Sequence, residues 1–180
     1  IIPTDIIHQY VFCTYLQNTF IDCKHVFLAT NAYTPWKFAS VRKKIIPVGS
    51  YIVATGVLDK ELIHSLSPRS RMFFDSRKLL NYFRMTPDGR LLFGGRDGLA
   101  HKDNWQQITR QLFSRMRDVF PQLWQQELEY SWGGKVAVSL DLLPHLYKKR
   151  ELYAAYGYCG HGVSMASYLG YQAAESILKG

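Results

Sequence analysis

The sequence has no apolar run approaching the roughly 18 residues that a membrane-spanning helix requires. Its apolar stretches, such as Ile45-Ile46-Pro47-Val48 and Leu91-Leu92-Phe93, are short and interrupted, so no membrane span is expected. The start, Ile1-Ile2-Pro3-Thr4, shows no charged segment followed by an apolar one, hence no visible secretory leader, and without a methionine it reads as part of a longer chain. Cysteine is scarce. Cys13, Cys23 and Cys159 form no CxxC pair and are odd in number, which argues against a disulfide framework or a thiolate zinc site and fits a reducing, cytoplasmic setting. His8, His25, His64, His101 and His145 fall in no ligand spacing, so no metal is expected. The glycine fingerprints of phosphate binding are missing too: GYCGHG at 157–162 has the wrong order for GxGxxG, and GGRDGL at 94–99 follows a hairpin strand. Gly133-Gly134-Lys135 lacks the upstream glycine and the following Ser or Thr of a phosphate loop. No internal repeat or low-complexity segment appears.

What is present describes a globular chain. At 180 residues and 47% hydrophobic it can bury one sizeable core, or a core and an appendage. Its formal charge of +8 raises the alternative of a basic nucleic-acid-binding domain, since Lys and Arg that neutralise phosphates release counterions. The distribution argues against it. The basic residues come as small scattered groups, Arg42-Lys43-Lys44, Arg69 with Arg71, Arg115 with Arg117 and Lys148-Lys149-Arg150, without interleaved aromatics. They suit a solvated face, or a surface matched to an acidic partner segment.

Along the chain, HQYVFCTYLQ and CKHVFLAT read as strands, the second ending in the near-continuous apolar run of a buried strand. Asn31-Ala32-Tyr33-Thr34-Pro35 follows. IIPVGSYIVAT reads as a strand whose Pro47 and Gly49 suit an edge or a bulge. A short helix is expected near Lys60 to Leu66, then a β-hairpin in LLNYFRMTPDGRLLFGG, turning at Thr86-Pro87-Asp88-Gly89. Trp105, Ile108, Leu112, Met116, Val119 and Phe120 recur at intervals of three and four, predicting an amphipathic helix capped by Asp103 or Asn104 and closed by Pro121. Strands are expected from Glu129 to Leu140 and around Leu152 to Tyr156. At the end, glycines at 157, 160 and 162 precede a helix running to Lys179-Gly180. Such a turn can present backbone N–H groups, and the helix aims its positive end at the same spot, although an ordinary tight connection has the same composition.

Taken in order, VFLATNAYTP, IPVGSYIVAT, YFRMTPDGRLLFGGR, FPQL, WGGKVAVSLDLLP and GYCGHGVSMASYLGYQAAESI resemble the C-terminal part of the D-amino-acid-oxidase-like family of FAD-dependent amine oxidoreductases. Within it the branch of gamma-glutamylputrescine, sarcosine and glycine oxidases is most similar. The resemblance implies an α+β fold: an antiparallel substrate-domain sheet with flanking helices, plus the C-terminal remnant of a Rossmann-like FAD-binding domain. It implies late strands of the FAD domain at 1–36, the substrate domain at 37–143, and a return strand and helix of the FAD domain at 144–180. On the flavin side it implicates Ala29, Thr30 and Asn31, where Asn31 stands at a position that is glycine in many relatives, and Gly157, Gly160, His161, Gly162 and Val163. On the substrate side, where the sheet covers the flavin's reactive face, it implicates Tyr51, Tyr82, Arg84 and Trp132. Tyr82 and Trp132 equally suit plain core packing in alternating strands, and Arg84, which could grip a carboxylate by two parallel hydrogen bonds, equally suits a solvated hairpin.

The departures from the family pattern carry their own expectations. Sarcosine oxidases place an oxygen-activating lysine in the strand that aligns with Leu91 to Gly94, and a flavin-linking cysteine near Gly133 to Ala137. This sequence has neither, so FAD is expected to be noncovalent and the electron acceptor is left open. Cys159 stands where relatives show serine and is expected to be a small buried residue. The missing GxGxxG implies that the N-terminal half of the FAD site lies outside these residues. The expectation is the C-terminal part of an FAD-dependent enzyme taking a small-molecule amine or amino acid, inactive alone, with no assigned catalytic side chain. The alternative is a noncatalytic structural or partner-binding module.

Overall fold

A computed structural model describes residues 12–16, 19–77, 80–96 and 104–179, with side chains from residue 23 onward. His8, His101, Asp103 and the ends of the first expected strand lie outside the described residues. The elements are β1 (Phe12–Leu16), β2 (Thr19–Cys23), β3 (Val26–Leu28), α1 (Ala39–Arg42), β4 (Ile45–Thr55), α2 (Lys60–Leu66), β5 (Phe73–Phe74), β6 (Asn81–Met85), β7 (Leu91–Arg96), α3 (Trp105–Val119), β8 (Leu128–Ser139), β9 (His145–Lys149), β10 (Leu152–Tyr156) and α4 (Gly162–Leu178). They form two compact units, one from residues 1–47 with 136–180 and one from 48–135. The chain passes between them inside β4 and β8.

In the discontinuous unit, β1 and β2 form an antiparallel pair, and a second sheet has the order β3-β10-β9. β10 runs parallel to β3, with Leu152 opposite Val26, and antiparallel to β9, which sequence reading missed. All five residues of β10 are buried, which explains its lack of polar alternation. The core gathers Leu28, Val41, Ile45, Ala137, Leu152 and Tyr156.

The continuous unit is built on the sheet order β5-β6-β7-β4-β8, with β5, β6, β7 and β4 joined by antiparallel pairings. β4 is therefore an interior strand, not the edge its proline suggested. The pairing of β4 with β7 begins only at Ser50, so Pro47 removes no donor from that ladder. The β6–β7 hairpin turns as expected: Gly89 donates its N–H to the Thr86 carbonyl at 3.0 Å and takes φ +86. One sheet face packs on α3. Cross-strand neighbours share a face, so the row Val53–Phe93–Phe83 and the residues Met85 and Leu91 meet Leu112 and Met116 of the helix. Asn104 caps α3 by accepting the Gln107 N–H at 3.2 Å, worth about 1 kcal/mol. Thr55, fully buried, secures β4 to β7 by accepting the Leu91 N–H at 3.0 Å while donating to the Gly56 carbonyl at 2.7 Å.

Candidate functional site

In the discontinuous unit the flavin-side candidates converge. Because β3 and β10 are parallel neighbours, the segments leaving their carboxyl ends, 29–31 and 157–163, emerge at one end of the sheet, the place where open α/β sheets bind ligands. The two segments are joined directly: the Gly157 N–H donates to Asn31 Oδ1 at 3.0 Å. Asn31 adopts φ +41, the left-handed region in which asparagine is tolerated, and opens a 3-10 turn at Asn31–Tyr33. Thr34 closes this turn by donating its hydroxyl to the Asn31 carbonyl at 2.7 Å. Ala29 and Thr30 are exposed beside it.

The second segment needs its glycines. Gly157 has φ +76, and a Cβ there would stand 3.0 Å from Ser139 Cβ and 3.3 Å from the Leu143 carbonyl. Gly160 has φ +99. Cys159 corrects the expectation of burial: it is half-buried at φ +52, donates its N–H to the Ala137 carbonyl at 3.0 Å, and donates its thiol to the Gly157 carbonyl at 3.2 Å. His161 precedes α4, is exposed, and donates its N–H to the Tyr158 carbonyl at 2.8 Å. The internal bonds thus consume the N–H groups of 157, 159 and 161. Those of Gly162 and Val163, in the first turn of a 17-residue helix, have no carbonyl four residues back to bond. Val163 is 99% exposed, so nothing of the described chain covers that turn from its side.

The loop after β8 buttresses the turn. Ser139 donates its hydroxyl to the Leu143 carbonyl at 2.8 Å, and Asp141 Oδ1 accepts from the Leu143 N–H at 3.1 Å and meets His145 Nε2 at 2.9 Å. The His145 hydrogen bond, then the Leu143 N–H, hold the Asp141 carboxyl at a pKa of about 2. Sequence reading assigned His145 and Asp141 no role, and their spacing of four, from a loop into a strand, carries no signal that would have shown one.

In the continuous unit the substrate candidates divide. Tyr82 and Arg84 project from the sheet face away from α3, in rows with Gly94 and Leu92 of β7. Trp132 alternates onto the same side, because its neighbour Gly133 lies under the Tyr51 ring on the α3 side. Tyr51 does not join them. Its ring packs against Trp105 of α3 with centroids 5.6 Å apart, over the bare backbone of Gly49 and Gly133, and so serves the packing of the helix on the sheet. Tyr82 is fixed twice: its hydroxyl and Ser50 Oγ lie 2.9 Å apart, and its ring covers Gly94, where any Cβ would collide with it. Beside it is a cleft of about 160 Å³ lined chiefly by Ile52, Met72, Tyr82, Arg84 and Leu92. The sequence did carry a signal for this, a glycine within the apolar run Leu91-Leu92-Phe93-Gly94, which marks a close approach.

Comparison with known proteins bears on both units. The family model described as FAD dependent oxidoreductase matches residues 5–176. Among curated proteins, a probable oxidoreductase of Haemophilus influenzae is 36% identical over 85% of this chain and 36% of its own length. The gamma-glutamylputrescine oxidoreductase of Escherichia coli is 32% identical over 89% of this chain and 38% of its own length. The chain therefore spans little more than a third of these relatives. Among solved structures, L-proline dehydrogenase from P. horikoshii aligns with a TM-score of 0.70 at 22% identity, covering 91% of this chain and 45% of that one. Glycine oxidase from Bacillus cereus aligns with a TM-score of 0.65 at 20% identity, covering 87% and 43%. These last two establish likeness of fold.

Proposed function

Because the chain belongs to the family of FAD-dependent oxidoreductases, we propose that the whole protein oxidises an amine or amino acid at the carbon bearing nitrogen, with FAD held noncovalently. Bound FAD would supply a hydride acceptor for that carbon, leaving an imine that water converts to a carbonyl compound and the freed amine. The bond between the Gly157 N–H and Asn31 Oδ1 carries the reading, because it fixes the two flavin-side segments as one surface at the carboxyl ends of β3 and β10. The unspent N–H groups of Gly162 and Val163 and the positive end of α4 fit a flat, hydrogen-bond-accepting ring edge on which negative charge develops. Fixed dipoles of this kind stabilise that charge without reorganising. Such chemistry needs an unprotonated amine held in place more than an acid or base side chain, which agrees with the lack of an assigned catalytic dyad. An amine substrate is supported by the relative named gamma-glutamylputrescine oxidoreductase.

The same reading says that this chain holds the ring rather than the nucleotide of FAD and does not turn over alone, since its 180 residues contain no GxGxxG fingerprint. Titrating the folded chain with FAD and with riboflavin, followed by flavin absorbance and fluorescence, tests this. The expected result is a saturable spectral change of similar affinity for both, with no competition by ADP. No spectral change from a folded chain would overturn it.

A further inference from the structure

We propose that the discontinuous unit carries an anion site, a cup beside the paired ends of β9 and β10 in which Lys43, Lys44 and the Tyr156 hydroxyl take a phosphate group. The cup has a volume of about 300 Å³ and is lined chiefly by Lys43, Lys44, Ser139, Asp141, His145 and Tyr156. The sheet fixes one wall: His145 and Tyr156 stand opposite each other in the antiparallel register, with their rings stacked 5.3 Å apart. The two lysines follow α1, where the Lys43 and Lys44 N–H groups bond back to the Ala39 and Val41 carbonyls at 3.1 and 2.9 Å. Val41 and Ile45 on either side are buried, so both lysine stems leave from an anchored backbone.

What the cup lacks is an acceptor. Tyr156 is only 3% exposed, yet its hydroxyl has no hydrogen-bond partner among the described residues. A polar group withdrawn from water without a partner is costly, and it marks a place where a ligand completes the bonding. Burial, then the nearby Tyr147 and Asp141, push the Tyr156 phenol's pKa up, so the hydroxyl keeps its proton and acts as a donor. Neither Lys43 nor Lys44 pairs with a carboxylate among the described residues, and Lys44 Nζ rests 4.8 Å from the centroid of the Tyr147 ring, which occupies one side of the ammonium. The groups that could have served them are engaged elsewhere. Asp141 Oδ1 accepts from the Leu143 N–H and meets His145 Nε2, and the Ser139 hydroxyl donates to the Leu143 carbonyl. Two cations and one neutral donor match a dianion with at least three acceptor oxygens, which a phosphate group supplies and a carboxylate does not. A cationic ligand would meet two ammonium groups. The volume is the share of about ten waters, so the cup admits free phosphate with accompanying water or the phosphate end of an ester.

The test uses the chain without flavin, at constant ionic strength and about pH 8, where inorganic phosphate and phenyl phosphate are both dianions. Each is titrated against a sodium chloride control while the amide NMR shifts of Lys44, Asp141 and Tyr156 are followed. Saturable shifts at all three are expected with both phosphates and not with chloride. Replacing both lysines, Lys43→Gln with Lys44→Gln, should weaken phosphate about tenfold, and Tyr156→Phe about fivefold. Lys149→Gln with Arg150→Gln removes the same charge from outside the lining and should change affinity by less than about twofold. Tighter binding of phenyl phosphate would assign the rest of the cup to an ester's organic part, and equal binding would assign it to free phosphate; both support the site. No saturable shift, equal losses in the two charge-pair variants, or a Tyr156→Phe chain that binds phosphate unchanged would each overturn it. Lys43 and Lys44 are exposed, so their variant is expected to melt with the parent in a thermal scan and decides the matter if Tyr156→Phe does not fold. Because no flavin takes part, failure here leaves the amine-oxidising reading standing, and failure of the FAD titration leaves this cup standing.

Discussion

The two units build their candidate sites from different materials. In the discontinuous unit the surface is backbone: left-handed residues at Asn31, Gly157 and Gly160, and the open N–H groups of α4. In the continuous unit it is side chains, Tyr82, Arg84 and Trp132 standing on a sheet whose other face packs on α3. A backbone surface resists an added Cβ where φ is positive and the space is already filled, as at Gly157, but is indifferent to charge at its side chains. A side-chain surface is the reverse, provided its core is intact. The lesson is that a sequence can change the second without touching the fold, while the first is tied to it.

The largest effect should come from removing the support of the side-chain surface. Phe93 is fully buried between the sheet and α3, and Phe93→Ala should cost about 3–5 kcal/mol in urea unfolding. Amide exchange should accelerate first in β6, β7 and α3. Uniform acceleration through β3 and β10 as well would break the contrast between the units. Next, Gly157→Val combines positive φ, a β-branched side chain and crowding by Ser139 and Leu143, and about 3 kcal/mol of destabilisation is expected. The flavin signal should vanish in that variant.

Asn31 sharpens the comparison because there a side chain serves the backbone. Asn31→Ala loses both the acceptor for Gly157 and the tolerance of φ +41, costing about 2 kcal/mol. Asn31→Gly loses only the acceptor, so about 1 kcal/mol, and a chemical melt of the pair separates the two contributions. The smallest effect concerns acid. Asp141 titrates near 2 in the folded chain against 3.8 for the free side chain, so its contribution to stability is complete above about pH 4 and is lost as pH falls towards 2. Asp141→Asn should therefore flatten that acid limb in a pH series of urea melts. An unchanged limb would remove Asp141 from the support of the Gly157 turn.

Legibility in the sequence followed the same division. Helix α3 was readable to its cap because its signals are local: period, Asn104 and Pro121. The hairpin at Thr86 to Gly89 was readable for the same reason. β9 was not, since HLYKK has neither alternation nor an apolar run and becomes a strand by pairing with β10. Pro47 misled because β4 pairs with β7 only from Ser50 onward, past the proline. The candidates for the flavin side come from a family pattern, and nothing local shows that Asn31 bonds to Gly157. Tyr51 illustrates the limit on the other side: alternation places it on one of two faces, and which face meets the helix is decided by Gly49, Gly133 and Trp105.

The bond from Gly157 to Asn31 spans 126 residues, and the whole continuous unit lies between its partners. During synthesis at roughly 5–20 residues per second, residues 48–135 emerge complete and can collapse on their own core while Asn31 still waits about 6–25 seconds for its donor. The turn that would hold the ring is thus assembled after the continuous unit has been made. A chain ending before residue 157 would carry the whole of the continuous unit and only one half of that turn, so the proposed ring-holding surface can form only once segments from both sides of that unit have been made.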